Sequence, residues 1–172
     1  MPAKPIHKFL ISESLRKPSA PVEEVNDEIR ELVETMIQTM YAAPGVGLAA
    51  PQIGVNKRIF VVDTSVGEKP DALIVMINPE IVSTEGTIEQ EEGCLSVPEF
   101  RSTVKRPAKI TVRGLNLEGE TVEVTGENLL ARALSHEMDH LDGKLFIDRL
   151  SVLQRDFIKR KIKKRIKTGE WS

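Results

Sequence analysis

One short stretch of the sequence has the residue types and spacing of a metal site. His136, Glu137 and His140 form a His-Glu-x-x-His pattern. On a helix, residues four apart lie one turn apart on nearly the same face, so both imidazoles can point at one ion. Glu137 stands beside that face, where its carboxylate can reach a water on the ion and act as a general base. Two histidines hold a metal weakly, however, so the pattern calls for a third ligand.

A third ligand can come from Cys94, the only cysteine of the chain. Cys94 lies in a Glu-Glu-Gly-Cys-Leu-Ser stretch, whose glycine and serine are not typical of a core strand. A thiolate with two imidazoles leaves the fourth position open for water, as in a catalytic zinc-type site. A lone cysteine is also commonly a small buried hydrophobe, and residue type alone leaves that alternative open. We interpret His7, remote in sequence from the other histidines, as a solvated side chain.

Three helices are predicted from apolar residues at helical spacing. The first covers residues 24–42, with its methionines as core residues. The second covers 127–142 and carries the histidines, and Gly143 ends it. The third covers 151–167, and its apolar stripe comprises Leu153, Phe157, Ile158, Ile162 and Ile166.

The pattern between the first two helices is typical of strands. Predicted strands cover residues 58–63, 73–78, 80–83, 86–90, 102–106, 109–113 and 120–124. We expect 80–83 and 86–90 to pair as a hairpin, and the glycine-rich residues 45–54 to form a loop. Strands do not alternate with helices, so the order predicts an α+β fold. Its mostly antiparallel sheets would pack around a central His-Glu-x-x-His helix, with an N-terminal and a C-terminal helix.

Composition limits the classes of function. A length of 172 residues suits a single domain, 1–172, with 40% hydrophobic and 29% charged residues. Aromatic residues make up only 4%, so we expect no binding of DNA by base stacking. No apolar run reaches the about 20 residues of a membrane helix, and the N-terminus lacks the apolar core of a signal peptide. A single cysteine fits a reducing compartment, and we expect a cytoplasmic protein.

The charge is unevenly distributed along the chain. Residues 151–172 carry eight lysines and arginines and two acids, a local charge of +6. Because the whole chain carries −2, the first 150 residues carry −8. The basic C-terminal helix and tail either present a solvated face or dock on RNA or an acidic partner.

Three blocks of the sequence together resemble the three motifs of the peptide deformylase family. They are Gly-Val-Gly-Leu-Ala-Ala-Pro-Gln at 45–52, Glu-Gly-Cys-Leu-Ser at 92–96 and His-Glu-Met-Asp-His at 136–140. The resemblance implies removal of the N-formyl group from the N-terminal formylmethionine of nascent polypeptides, with release of formate. It implies that Cys94, His136 and His140 bind one Fe²⁺, for which Zn²⁺, Ni²⁺ or Co²⁺ can substitute. Affinity order alone does not select among these metals.

The resemblance also implies roles for the residues around the ion. Metal-bound water would attack the formyl carbon, with Glu137 as general acid/base. Gln52 and the backbone N–H of Leu95 match donors to the developing oxyanion. The peptide would bind as an added strand. The substrate contacts implied or inferred in this way are Val46, Gly47, Arg101, Leu129 and Ala133.

Three further charged residues lie near these motifs. We expect Arg132 at the rim of the methionine pocket with its head in solvent. Arg101 either lies near the substrate or forms a salt bridge with Glu92 or Glu99. Glu92 can also orient a ligand histidine.

Two other functions compete with deformylation. A general zinc endopeptidase fits the helix motif alone, although an upstream cysteine ligand and a short chain disfavour it. A non-enzymatic ribosome-associated protein with a structural metal is the second alternative. Ribosome docking through the basic C-terminal helix is also compatible with the enzyme, since some peptide deformylases use that helix in this way.

Overall fold

The computed structural model describes residues 2–171. They form three α-helices, α1 (Asp27–Ala42), α2 (Leu129–Leu141) and α3 (Val152–Thr168). The strands are β1 (Gly47–Ala49), β2 (Ile59–Val62), β3 (Ile74–Glu85), β4 (Ile88–Cys94), β5 (Val97–Arg106), β6 (Lys109–Leu115) and β7 (Thr121–Glu127). Five of them form an antiparallel sheet in the order β1-β2-β3-β6-β7, and β4 pairs with β5 in a separate antiparallel ribbon. The predicted α+β fold is confirmed.

The five-stranded sheet lies between α1 and α2. All four residues of β2 are fully buried. Ile59 and Val61 belong to the apolar cluster with α1, whereas Phe60 and Val62 belong to the cluster with α2. Because successive side chains of a strand point to opposite faces, a strand covered on both faces reads as an uninterrupted apolar run. This is why residues 59–62 show no polar alternation.

Helix α1 begins at a side-chain cap and packs through its methionines. The Asn26 side chain accepts a hydrogen bond from the Ile29 backbone N–H at 3.0 Å, which satisfies one free donor of the first turn. Met36 and Met40 are fully buried in the cluster between α1 and the sheet. The interpretation of these methionines as core residues is confirmed.

Helix α3 closes a third apolar cluster over the β4–β5 ribbon. The Ser151 side chain caps its first turn by accepting from Gln154 N at 3.2 Å. Ile158 and Ile162 are buried in a cluster with Trp171 and residues of the N-terminal segment. No helix within residues 2–171 is long and apolar enough to cross a bilayer.

The predicted hairpin of residues 80–83 with 86–90 is wrong. Residues 80–83 continue β3, which pairs with β6 through two register irregularities. Gly86 then turns the chain with φ of 65°, a conformation that glycine adopts at little steric cost. The chain leaves the five-stranded sheet at this turn, and β4 pairs with β5 instead.

One further expectation needs correction, and the predicted apolar stripe of α3 proves to be unevenly buried. Residues 45–54 are not only a loop, because they contain edge strand β1 and a 3₁₀ helix at Ala50–Ile53. The apolar stripe of α3 is only partly buried: 80% of Leu153 and 51% of Phe157 are exposed. Adjacent helical positions differ by about 100° around the axis, so Phe157 faces away from the core although its neighbour Ile158 packs into it.

Candidate active site

Three potential ligand atoms converge at the end of β4 and on α2. Sγ of Cys94 lies 3.4 Å from Nε2 of His140, which lies 3.2 Å from Nε2 of His136. All three ligand atoms lie within 4.8 Å of one another. Tetrahedral ligands at zinc-type bond lengths are about 3.3 Å apart for two nitrogens and about 3.6 Å for sulfur and nitrogen. The separations therefore fit a single metal ion.

A local irregularity in the ribbon places the thiol. The register shifts between Gly93 and Cys94, and Cys94 faces Val97 across a two-residue turn formed by Leu95 and Ser96. Such a bulge re-aims the side chain of a strand end. His136 and His140 stand one turn apart on α2, as the sequence spacing predicts.

The orientation of His136 is fixed by Glu92. The Glu92 carboxylate accepts from Nδ1 of His136 at 2.7 Å, which leaves Nε2 free to bind a metal. Arg106 donates from Nη2 and Nε to the two oxygens of Glu92 at 2.6 and 3.1 Å. Its Nη1 also donates to Asp139 at 2.6 Å, and Arg149 pairs with the same carboxylate. This charge network ties the ribbon to α2 immediately behind the ligands.

Burial disfavours the ionised forms of Glu92 and Asp139, but the contacts of these carboxylates with His136, Arg106 and Arg149 outweigh this effect. Burial raises the pKa of Glu92, but hydrogen bonds and charges of His136 and Arg106 hold that pKa well below its ordinary value. Burial likewise raises the pKa of Asp139, whereas Arg149 and Arg106 lower it, with a net decrease. Both carboxyls are therefore ionised at neutral pH and keep Arg106 paired.

Glu137 lies in a different electrostatic environment. Burial, only partly offset by His136, raises the pKa of Glu137 to about 7. Its Oε1 is buried without a hydrogen-bond partner among the described residues. A Cβ built on Gly47 would lie 2.5 Å from Oε2 of Glu137, so only glycine lets β1 approach this carboxylate.

Gln52 and Leu95 lie beside the same ligands. Oε1 of Gln52 accepts from Ala49 N at 3.0 Å, which turns the Nε2 donor the other way. That Nε2 lies 3.2 Å from Oγ of Ser96 and 3.8 Å from Sγ of Cys94. Leu95 is next to Cys94 in the turn between β4 and β5. Gln52 Nε2 and Leu95 thus both lie on the Cys94 side of the site.

A cavity of about 560 Å³ opens onto these residues. It separates the edge strand β1 and α2 from the β4–β5 ribbon, and His136, Glu137 and Cys94 lie on its wall. The residues predicted to contact substrate all line it: Val46, Gly47, Arg101, Leu129 and Ala133.

Arg132 is not at a solvent-exposed rim, contrary to expectation. Only 6% of this residue is exposed. Its Nη1 donates to Oε1 of Glu92 at 2.8 Å, because the buried carboxylate draws the guanidinium inward. Nε and Nη2 are buried without partners among the described residues.

Two other side chains have contacts that the sequence did not predict. Arg101 pairs with Glu91 at 3.1 Å, whereas the expected alternatives were Glu92 and Glu99. His7 is half-buried and its Nδ1 lies 2.6 Å from Oγ of Ser12, so it is not the solvated side chain expected. It takes no part in the group of Cys94, His136 and His140.

Arg106 is the residue of the site that sequence reasoning missed. A usable signal was present, because Val104 and Arg106 lie two apart in a strand and therefore on one face. Both are buried, while Thr103 and Lys105 between and beside them are exposed. An arginine on the inward face of a strand needs carboxylate partners, and this requirement points to Glu92 and Asp139.

An α+β fold that brings one cysteine and two histidines together beside a buried carboxylate and a cavity is typical of a hydrolase that uses a single metal ion. Comparison with known proteins identifies the family within this class. The family model described as polypeptide deformylase matches residues 5–156, and the chain belongs to the peptide deformylase family. It is therefore a hydrolase that removes the N-formyl group from peptides.

Individual relatives agree in sequence and in structure. The peptide deformylase of Acidobacterium capsulatum is 55% identical over 157 residues, which cover 91% of this chain and 92% of that protein. The crystal structure of a peptide deformylase from Legionella pneumophila superposes with a TM-score of 0.89 at 47% identity, covering 97% of both chains. A peptide deformylase from Synechococcus elongatus, in complex with actinonin, gives a TM-score of 0.87 at 37% identity, covering 96% of this chain and 89% of that one.

Proposed function

We propose that residues 1–172 form one catalytic domain that deformylates the N-terminal formylmethionine of nascent polypeptides and releases formate by metal-dependent hydrolysis. The observation that carries this proposal is the convergence of Cys94, His136 and His140 beside the buried, unpartnered oxygen of Glu137. A structural metal site would not need an open cavity or a free carboxylate. We propose Fe²⁺ as the native ion, with Zn²⁺, Ni²⁺ or Co²⁺ able to substitute.

Cys94, His136 and His140 would hold the ion. When bound, the ion supplies an acidified water and a positive charge beside the formyl oxygen. Glu92 would leave Nε2 of His136 available to the ion through its 2.7 Å contact with Nδ1. Arg106 holds Glu92 in place from behind.

Glu137 is proposed to move the proton. Its carboxylate faces the cavity next to the ligands, and its raised pKa of about 7 suits a group that accepts and returns a proton near neutral pH. Glu137 would take a proton from water as the formyl carbon is attacked, then deliver it to the amine nitrogen as the C–N bond breaks. Gly47 keeps the carboxylate against β1.

Gln52 and the backbone N–H of Leu95 are proposed to stabilise the oxyanion. The contact of Gln52 Oε1 with Ala49 N orients the amide so that Nε2 is the atom nearest Cys94. Donors that are fixed before the reaction stabilise developing charge without reorganisation, and removing one typically costs about 100- to 1000-fold in kcat.

The cavity supports the proposed substrate. Val46, Leu129 and Ala133 give an apolar wall for the methionine side chain. Strand β1 is the edge of the five-stranded sheet, so the peptide backbone can add to it as a further strand. Arg101 lines the same cavity, where we propose that it contacts the peptide.

An assay with matched peptides tests the function. Formyl-Met-Ala-Ser should be hydrolysed to formate, whereas acetyl-Met-Ala-Ser and casein should not be cleaved. Casein cleavage without formate release would support an endopeptidase instead. Actinonin, which is bound to the Synechococcus elongatus relative, should inhibit formate release.

Two variants assign the roles. Glu137→Gln should keep bound metal and lose about 100- to 10,000-fold in kcat, because the proton carrier is removed. Unchanged activity with metal retained would show that Glu137 has no catalytic role. Cys94→Ser should lose metal affinity or activity, and retention of both would exclude Cys94 as a ligand.

Metal analysis after anaerobic purification tests the choice of Fe²⁺, since thiolate sites are sensitive to oxidation.

We also propose ribosome docking through α3. Exposed lysines at 163, 164 and 167 give the helix a basic face, and ribosomal RNA is the corresponding anionic surface. Charge reversal of these three lysines should reduce co-sedimentation with ribosomes while formyl-Met-Ala-Ser activity is kept. Unchanged, salt-insensitive binding would contradict docking through this face. A cytoplasmic location stays a prediction.

A further inference from the structure

A second groove lies beside the catalytic cavity. It lies between β5 and the N-terminal half of α3, has a volume of about 390 Å³, and is lined mainly by Phe100, Arg101, Leu153 and Phe157. Phe100 and Arg101 also line the catalytic cavity. The two depressions therefore lie side by side and share these two residues of β5 as a common wall.

The groove contains exposed apolar side chains that do not pack in the core of the protein. Leu153 is 80% exposed and Phe157 is 51% exposed. Both stand on a helix whose other exposed residues are mostly polar or basic. Contiguous exposed apolar residues next to a functional cavity indicate a binding surface.

The floor of the groove is held rigidly. The Phe100 ring packs edge-on against Trp171 with centroids 6.1 Å apart, and the Arg165 guanidinium lies 4.8 Å from its centroid. Arg165 in turn pairs with Glu99 at 2.7 Å. A fixed aromatic floor with Leu153 and Phe157 on the opposite wall is preorganised for an apolar side chain, which lowers the entropic cost of binding.

We propose that this groove binds the downstream part of the formylated peptide and favours apolar side chains at its fourth to sixth residues. The proposal rests on the proposed function, because the peptide must first occupy the catalytic cavity. An extended chain rises about 3.3 Å per residue, so six residues span about 20 Å. On this proposal the first three residues occupy the catalytic cavity, so formylated di- and tripeptides would not enter the groove, whereas a nascent chain would.

The chemistry of the groove favours a peptide over RNA as its occupant. Its one charged lining residue, Arg101, is already paired with Glu91. The exposed lysines at 163, 164 and 167 lie further along α3 and do not line the groove. A nucleic acid needs cationic contacts to its phosphates, whereas the groove offers apolar surface.

Three peptides test the proposal on the metal-loaded enzyme. They are formyl-Met-Ala-Ser, an apolar hexapeptide, formyl-Met-Ala-Ser-Leu-Phe-Leu, and a polar hexapeptide, formyl-Met-Ala-Ser-Ser-Gly-Ser. The wild type should show kcat/KM about three- to tenfold higher for the apolar than for the polar hexapeptide, mainly through a lower KM. Equal values for the two hexapeptides would overturn the proposal.

Two variants and a matched control locate the effect. Leu153→Asp and Phe157→Asp should each abolish the preference for the apolar hexapeptide and leave the rate with formyl-Met-Ala-Ser unchanged. Val152→Asp makes the same change on the same helix at a residue that is 62% exposed but does not line the groove, and it should keep the preference. If all three variants behave alike, the groove is not the cause.

Further outcomes of these experiments distinguish the groove proposal from the proposed deformylation and from ribosome docking. Absence of formate release from formyl-Met-Ala-Ser by the wild type would contradict the proposed function itself. Normal tripeptide activity without a hexapeptide preference would contradict only the groove. If Leu153→Asp and Phe157→Asp weaken ribosome co-sedimentation while the hexapeptide preference persists, the groove faces the ribosome and the peptide proposal is overturned.

Discussion

Helices α2 and α3 have opposite surroundings. Ten of the thirteen residues of α2 are buried, among them Arg132, Glu137 and Asp139. Only two of the seventeen residues of α3 are buried, Ile158 and Ile162. Each enclosed charge of α2 except Glu137 has an opposite charge within 2.8 Å, whereas most charges of α3 point into solvent.

The difference shows where the molecule tolerates change. A buried charge that loses its partner retains its desolvation penalty, so replacements around α2 should act on stability and metal binding together. Water replaces a lost partner of an exposed charge on α3, so replacements of those charges should change stability little. Matched replacements around the two helices can therefore test this contrast.

The largest effect is expected for Arg106→Met. Glu92 would keep only Arg132 and His136, and Asp139 would keep only Arg149. We expect the free energy of unfolding to fall by about 3 to 5 kcal/mol, measured by urea denaturation. Arg165→Met on α3 is the matched control and should cost about 1 kcal/mol or less. Equal losses of unfolding free energy in the two variants would contradict the contrast between the two helices.

Gly47→Ala should reduce activity with metal retained. Its Cβ would lie 2.5 Å from Oε2 of Glu137, and the carboxylate must move. A displacement of about 1 Å in a catalytic group can cost about 100-fold in kcat/KM. A methyl group on Gly169, just after α3, would meet no atom within 4 Å, so Gly169→Ala should leave formate release unchanged. Full activity of Gly47→Ala would contradict the placement of Glu137.

Glu92→Gln should weaken metal binding by about 10- to 100-fold, because an outer partner of a ligand histidine is lost. Competition with a chelator measures this affinity. Glu91→Gln alters the adjacent, exposed carboxylate that pairs with Arg101 and should leave metal affinity unchanged. Equal affinities for the two variants would mean that His136 is oriented without Glu92.

The smallest effect concerns Asp148, in the connection between α2 and α3. Burial raises its pKa, but hydrogen bonds from Arg16 and Leu145 N outweigh burial and lower it. A lowered folded pKa stabilises the protein above the unfolded value of about 4, and this contribution is lost as the pH falls through the folded pKa. Asp148→Asn should therefore cost about 1 to 2 kcal/mol at pH 7 and less at about pH 3.

Urea titrations at the two pH values test this, with Asp156→Asn on the exposed side of α3 as control. A cost for Asp148→Asn that is independent of pH would show that ionisation of this carboxyl does not contribute.

The two helices also differ in how far sequence predicts them. The spacing of His136 and His140 defines their common face because both lie on one rigid helix, and the structure agrees. The partners of α2 come from β4 and β5, and pairing across such sequence distances has no local signal. The one available signal, which was not used, was the inward position of Arg106 in an alternating strand.

Helix α3 shows the limit of periodicity. Helical spacing shows which residues are apolar and near one another but not which neighbours cover them. Ile158 and Ile162 are covered by the N-terminal segment and Trp171, whereas no part of the described chain covers Leu153. The strand at 47–49 was missed for a related reason, since three residues rich in glycine and alanine carry no alternating pattern.

The edges of the five-stranded sheet have a consequence for self-association. Unpaired edge strands invite pairing with further copies of a chain and, eventually, aggregation. At one edge β1 is only three residues long, which is too short to template another sheet. At the other, β7 presents Glu127 to solvent, and Glu123 pairs with Arg113 of the neighbouring strand, so charged side chains line that strand. The edge at β1, to which we propose the substrate peptide adds, is therefore protected from self-association by its short length rather than by charge.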